Sequence, residues 1–203
     1  MAEAWTINEV MKQGWELTKP NLKKLWAWYG LITVIYIGFG LMSQTGGMLG
    51  SLVSLANMVV NLMLSLGFTR VILKIVDGKA VAVGDLFWFE AKAIWTCLAA
   101  SILYGLIVLG GLFLLIIPGI IWAIMFSLYQ YVIVDRGAGI RESLSLSREF
   151  TRGSKGRLLV LGLVIALVNL GAALLLVIPL IFSIPWSTMT GVYVYRRLAP
   201  KAG

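Results

Sequence analysis

The sequence predicts an all-α membrane protein with six transmembrane helices. They are arranged as three hairpins, each preceded by a cytoplasmic amphipathic helix or segment, with both termini in the cytoplasm. Three observations predict this. The 26 charged residues of the 203-residue chain fall in four short segments, 1–24, 70–92, 135–157 and 196–203. Between them lie three uncharged runs, 25–69, 93–134 and 158–195. Those runs are 45, 42 and 38 residues long, and one helical crossing takes roughly 20 apolar residues at about 1.5 Å each. Each run is therefore long enough to cross and return. Three single long crossings would split the 17 basic residues between the two sides of the bilayer, against the positive-inside bias. The runs are continuous rather than alternating, which excludes a β-barrel.

Turn chemistry divides each run. The first breaks at Ser43-Gln44-Thr45-Gly46-Gly47, the second at Pro118-Gly119, and the third between Pro179 and Pro185. The expected helices are 25–43, 47–69, 93–116, 119–134, 158–178 and 180–196, of which the fourth and sixth are short. Before the first run, Ile7, Val10, Met11, Gly14 and Leu17 share one helical face. Before the third, Ile140, Leu144, Ser147 and Phe150 do the same, with Glu142 and Glu149 turned elsewhere. Such helices are expected to lie in the interface plane. Pro20 and Gly153 are expected to end them before the chain enters the bilayer.

A composition that is 60% hydrophobic, with a mean hydropathy of +0.92, is that of a polytopic membrane protein. The length predicts one domain, 1–203, with no room for a soluble catalytic module. The N-terminus, with Glu3, Glu9 and Glu16, is neither a signal nor a transit peptide, and a prokaryotic inner membrane is the expected address. The single cysteine, Cys97, makes no internal disulfide and is expected to pack within the third helix.

The chain echoes itself. With an offset of 133, Glu16-Leu17-Thr18-Lys19 matches Glu149-Phe150-Thr151-Arg152, and Ile7, Glu9 and Leu25 match Ile140, Glu142 and Leu158. Ile75-Val76-Asp77 is echoed by Ile133-Val134-Asp135. A shorter copy surrounds Asp85-Leu86-Phe87-Trp88-Phe89. We expect a threefold repeat, 1–69, 70–134 and 135–203, of cytoplasmic helix followed by hairpin.

Apart from Arg196 at the very end of the sixth, no Asp, Glu, Lys, Arg or His lies in the six expected spans. Ion conduction, proton coupling and intramembrane proteolysis usually need such groups, and a chain without histidine has no serine–histidine dyad. Gly38-Phe39-Gly40 is not a dinucleotide fingerprint. The expected protein is not an enzyme and carries no cofactor or metal. What the spans do hold is a set of amides: Asn57, Asn61, Gln130 and Asn169. They either line a hydrophilic path or hydrogen-bond between helices, the commoner use. Gly162 and Ala166 are a small-xxx-small pair. Trp26, Trp28, Tyr29, Trp122, Trp186, Tyr193 and Tyr195 read as aromatic belts at helix ends.

The basic residues Lys19, Lys23, Lys24, Arg148, Arg152, Lys155 and Arg157 form a candidate cytoplasmic interface for lipid or a partner. Each basic residue near an anionic leaflet contributes on the order of 1 kcal/mol. Nucleic acid is not expected, because acids intersperse the bases and no binding motif accompanies them. Membrane lipids with anionic headgroups are the expected partners, together with a protein partner or a second copy of the chain. A non-enzymatic lipid-binding or partner-organising role is expected first, and a small transporter or lipid-translocating protein second.

Certain stretches also carry a family resemblance. These are Pro118-Gly119, Tyr129-Gln130-Tyr131-Val132-Ile133-Val134-Asp135, Glu142-Ser143-Leu144-Ser145-Leu146-Ser147-Arg148 and Thr151-Arg152-Gly153. Gln13-Gly14-Trp15, Leu73 to Lys79 and Asp85-Leu86-Phe87 add to them. Together they resemble a bacterial family of six-helix membrane proteins. That family includes YciC-like inner-membrane proteins and the membrane part of membrane-bound glycerophosphodiester phosphodiesterases. The resemblance implies a fold and an address, with Ser147, Arg148, Arg152 and Gly153 structural at the membrane interface. It implies no catalytic residue, because those phosphodiesterases carry catalysis in a separate soluble domain.

Overall fold

In the computed structural model, described over residues 5–43, 47–88, 90–175 and 179–199, helices and their connections account for all the described chain. The helices are α1 (Ile7–Ser43), α2 (Gly47–Val76), α3 (Val83–Leu86), α4 (Ala91–Leu114) and α5 (Ile116–Met125). They continue with α6 (Tyr129–Arg136), α7 (Ile140–Phe150), α8 (Lys155–Leu174) and α9 (Leu180–Leu198). Five stretches are long and apolar enough to cross a membrane: Ile7–Met42, Gly47–Val76, Ala91–Leu114, Ile116–Arg136 and Lys155–Leu174. Large apolar side chains stand exposed along them, among them Met48, Leu106, Phe113, Leu167 and Leu174. A contiguous surface of this kind needs a lipid or protein cover.

Helix α9 is not among the five, for a reason visible in its sequence. Ser183, Ser187, Thr188 and Thr190 lower its hydropathy, as do Arg196 and Arg197 at its end. The helix is also well enclosed from its middle onward: it packs on α1, α2 and α8, and Trp186, Met189, Val192, Val194 and Tyr195 are buried, while Ile181, Phe182 and Ile184 of its first turns are exposed. Apolar character is needed most where a helix faces lipid, and this part of α9 faces protein. Consecutive helices also pack on one another, α1 with α2, α4 with α5 and α8 with α9.

Three expectations are corrected. Pro20 does not end the first helix. It lies inside α1, which runs unbroken from the amphipathic segment into the apolar one. Pro185 also lies inside a helix, α9, within the bounds expected for the sixth. Proline removes the N–H that would bond the carbonyl four residues earlier, here Ile181, and the Trp26 indole Nε1 donates to that carbonyl at 2.8 Å. The second run breaks at Leu115, which is extended (φ −164°, ψ 145°), not at Pro118-Gly119. Pro118 sits in the first turn of α5, where no N–H is missed. Gly111 and Gly119 then let α4 and α5 approach, since a Cβ on Gly111 would lie 2.8 Å from the Gly119 Cα. Finally, the aromatic belt is partly core, with Tyr195 fully buried and Trp186 donating to the Met11 carbonyl. The first expected turn, 43–47, falls mostly outside the described residues; α2 opens at Gly47 with φ +61°.

Other ends follow their local chemistry. Gly78 (φ +69°) closes α2. Its N–H bonds the Ile75 carbonyl, and the Lys79 N–H bonds the Lys74 carbonyl, the paired reach-back of a Schellman cap. Gly153 (φ +81°) stands in the turn after α7, as expected. The buried stripe of α7 is Ser143, Leu144, Ser147, Phe150 and Thr151, while Ile140 is exposed, contrary to its expected place on that face.

That stripe repairs a gap in the fourth stretch. Between α5 and α6 the helix is interrupted at 126–128. The Ser147 hydroxyl donates to the Met125 carbonyl at 3.0 Å and accepts the Leu128 N–H at 3.1 Å. Thr151 adds a second donor to Met125 at 3.1 Å. Irregular backbone is tolerated at membrane depth only with such partners. Thr18 donates to Gly14 O, four residues back, at 2.7 Å, and the Thr151 hydroxyl shares its one hydrogen between Met125 O and Ser147 O, the latter also four back, at 2.9 Å; these are the residues paired by the 133-residue offset.

Candidate functional site

Three of the four charged segments converge on one arginine near the end of α9. Arg196 Nη1 donates to Asp135 Oδ2 at 2.7 Å, and Nη2 donates to Asp77 Oδ2 at 2.8 Å. The two aspartates are the last residues of the Ile-Val-Asp echo, brought to one guanidinium from α6 and from just past α2. The Tyr195 hydroxyl also donates to Asp135 Oδ2, at 2.8 Å, and Lys79 stands 3.8 Å from Asp77. Arg197 pairs with Glu9 of α1, which ties in the remaining charged segment. A planar fork held by carboxylates on both sides fixes helix ends more rigidly than a lysine could.

A second cluster surrounds Asp85 in α3. Lys74 Nζ donates to Asp85 Oδ1 at 2.6 Å, and Arg70 Nε is 3.6 Å away. The Ala82 N–H donates to Oδ2 at 2.9 Å. The Lys74 hydrogen bond, then the Ala82 amide, hold the Asp85 carboxyl below its ordinary value. Here α3 lies directly on α2, because Gly67 has no side chain: a Cβ there would fall 1.9 Å from the Leu86 carbonyl oxygen.

Two hollows open beside the arginine fork. One, of about 610 Å³, is lined by Asp77, Asp135, Arg196 and Arg197 with Gln13 and Tyr193. The other, of about 530 Å³, is lined by Asn21, Lys24, Trp28 and the 78–81 turn. Lys79 borders both.

The seven expected interface residues lie on α1 and along the stretch from α7 into α8. Lys19, Lys23 and Lys24 are exposed on α1. Arg148, Arg152 and Arg157 are exposed on α7, the following turn and α8, while Lys155 is half-buried with Nζ 3.5 Å from Met125 Sδ. Lys19 stacks over Trp15 at 5.4 Å and Arg157 over Trp5 at 5.7 Å. Among the described residues none of the seven forms a salt bridge. Of the described carboxylates, Glu9, Asp77, Asp85 and Asp135 are engaged by cations, whereas Glu16, Glu90, Glu142 and Glu149 are exposed and form no salt bridge among the described residues.

The four amides separate into two places. Asn61 Nδ2 donates at 2.7 Å to both the carbonyl and the side-chain oxygen of Asn57. Gln130 of α6 donates to Ser65 at 2.8 Å and to Thr69 at 3.3 Å. Asn57, Asn61, Ser65 and Thr69 are spaced by four, so they form one polar stripe down α2 with Gln130 at its foot. Tyr36, Ser54, Asn57 and Asn61 border an open groove of about 570 Å³. Asn169 stands apart and donates to Ser187 of α9 at 2.8 Å. A Cβ added at Gly162 would meet nothing within 4 Å beyond its own helix, and Ala166 is exposed; the close approaches are instead at Gly14, Gly67, Gly111 and Gly119.

Sequence reading missed Arg196, Asp77 and Asp135 as a unit. The available signal was the Ile-Val-Asp echo, together with the fact that Asp135 and Arg196 each directly follow an uncharged run. The chain matches no protein-family model, no curated protein and no solved structure.

Proposed function

We propose that the chain is a non-enzymatic, six-span protein of a prokaryotic cytoplasmic membrane that binds anionic lipid headgroups at its charged, cytoplasmic end. One observation carries this reading. Lys19, Lys23, Lys24, Arg148, Arg152 and Arg157 are exposed without ion-pair partners among the described residues, while Glu9, Asp77, Asp85 and Asp135 are engaged by other cations. The six bases outnumber the exposed carboxylates Glu16, Glu142 and Glu149 of the same elements, which leaves a basic surface for headgroups. Ion pairs joining the four charged segments support a common side for all of them, and hence α9 as the sixth span. Contacts between consecutive helices support the three-hairpin plan of the YciC-like family. The matched Thr18 and Thr151 bonds and the shared Arg196 support the repeat. A lipid-binding role accords with that plan, and partner organisation is its variant with a protein seated on the same face.

The test is binding of anionic liposomes to the protein held in amphipol. Arg148→Gln with Arg152→Gln should weaken binding at low salt by roughly thirtyfold, given about 1 kcal/mol per basic residue. An unchanged isotherm counts against the reading.

The open polar groove favours a second reading, lipid translocation. Asn57→Leu with Asn61→Leu would convert the α2 stripe to an apolar one. In that case flux of a headgroup-labelled lipid in reconstituted vesicles should fall to background while the protein still inserts. Retained flux removes this alternative.

A further inference from the structure

The polar stripe of α2 leaves one hydrogen-bond donor group and one acceptor unused in the middle of an apolar length. Asn57 and Asn61 lie about midway between Gly47, where the helix opens, and Arg70, its first charge, a separation of roughly 35 Å at the helical rise. What they meet fixes their orientation. A backbone carbonyl only accepts, so the Asn61 group 2.7 Å from Asn57 O is its amide nitrogen. The Asn57 side-chain oxygen accepts from that same nitrogen at 2.7 Å. Asn57 Nδ2 is then left with no acceptor, and Asn61 Oδ1 with no donor, among the described residues. Neither residue is buried. Both are half-exposed and border the open groove beside Tyr36. Hydrocarbon tails offer such groups no hydrogen bond.

We infer that α2 is the seam of a two-fold dimer, in which Asn57 Nδ2 of each copy donates to Asn61 Oδ1 of the partner subunit. Copies inserted with the same orientation run their α2 helices parallel. A two-fold axis along the membrane normal then places each stripe against its own image. Where the helices cross between the levels of 57 and 61, one copy's donor stands opposite the other's acceptor, and the symmetry repeats the bond in reverse. Ser54 and Ser65 bracket the pair on the same face, and both are exposed. Small side chains at those positions let two backbones come close. Met58, 54% exposed, supplies apolar contact beside the seam. A different protein would have to present a donor and an acceptor one helical turn apart, whereas a second copy carries them already. The inference is separate from the headgroup reading, which concerns the charged end of the molecule.

The test uses the full-length protein. Sedimentation equilibrium in density-matched non-ionic detergent should give the mass of two chains, exchanging with one on dilution. Asn57→Leu with Asn61→Leu should raise the dimer dissociation constant by roughly eightfold, the combined effect of two average interhelical hydrogen bonds, with the near-UV circular dichroism unchanged. A single-chain mass for the unaltered protein at every concentration overturns the inference. So does a dissociation constant that the double variant leaves unchanged. Ser54→Cys keeps both amides. Oxidised in the membrane, it should form a disulfide-linked dimer, while Leu106→Cys, at a position 63% exposed on α4, should remain a single chain. Cys97 is buried, and the parent protein controls for it. Crosslinking through Leu106→Cys that equals or exceeds that through Ser54→Cys overturns the seam. Lipid flux that falls in the double variant, with the unaltered protein sedimenting as one chain, assigns the stripe to a path and removes the dimer.

Discussion

Arg196→Leu should destabilise the bundle by about 3 kcal/mol, toward the lower end of what removing one partner from a buried ion-pair cluster costs. The side chains of Arg196, Asp77 and Asp135 are 27%, 23% and 15% exposed, so partial solvation spares them the full penalty of a dry interior. What remains is two carboxylates, drawn to one place by a cation that has gone. The measurement is the unfolding midpoint of the detergent-solubilised protein, read by near-UV circular dichroism as denaturant increases. The matched control is the triple change Arg196→Leu, Asp77→Asn and Asp135→Asn, which removes every charge together. It should recover most of the loss, since replacing a whole ion cluster is often close to neutral. If Arg196→Leu unfolds with the parent protein, the fork contributes no stability and the charged segments are held by packing alone.

Gly67→Val should be more damaging still, at about 3 kcal/mol or above, because even the first carbon of a side chain would stand 1.9 Å from the Leu86 carbonyl oxygen. That obstacle is backbone, and packed backbones yield only by moving apart. Helix α3 would leave α2, and with it would go the contact of Asp85 with Lys74 at 2.6 Å. Limited proteolysis in the 79–90 connection should then become rapid, while Gly30→Ala, whose new carbon meets nothing within 4 Å, should not accelerate it. Slow cleavage of Gly67→Val at that connection would show that α3 is not seated as described.

Much of the architecture was legible because charge and hydropathy act over whole segments. Runs of 45, 42 and 38 uncharged residues announce apolar helices whatever their partners. The endings at Gly78 and Gly153 follow from local backbone preference in the same way. Harder to read was anything settled by a distant residue. How α9 runs on through Pro185 could not be read locally, because Trp26, far away in sequence, takes up the carbonyl that the proline frees. Helix α9 looked like a marginal span because hydropathy scores contact with lipid, whereas its serines and threonines face neighbouring helices. The arginine fork joins residues 119 and 61 positions apart, a separation no motif spans. Of the candidate site residues, the exposed basic set was visible as composition. The amides were visible too, but their division into an α2 stripe and a lone Asn169 depends on which helices meet.

The repair of the Met125–Leu128 gap by Ser147 and Thr151 also constrains the order of biosynthesis. The chain emerges from the ribosome N-terminus first, so α4 and α5 reach the translocon before α7 exists. Residues 116–136 are apolar enough to enter the bilayer by themselves. Yet the Met125 carbonyl and the Leu128 amide obtain their partners only after about twenty further residues have been made. Insertion and completion of this segment are therefore separate events in time. A nascent chain stalled before residue 147 would hold a membrane segment that has been delivered but not yet finished, open to chaperones and to quality-control proteases alike.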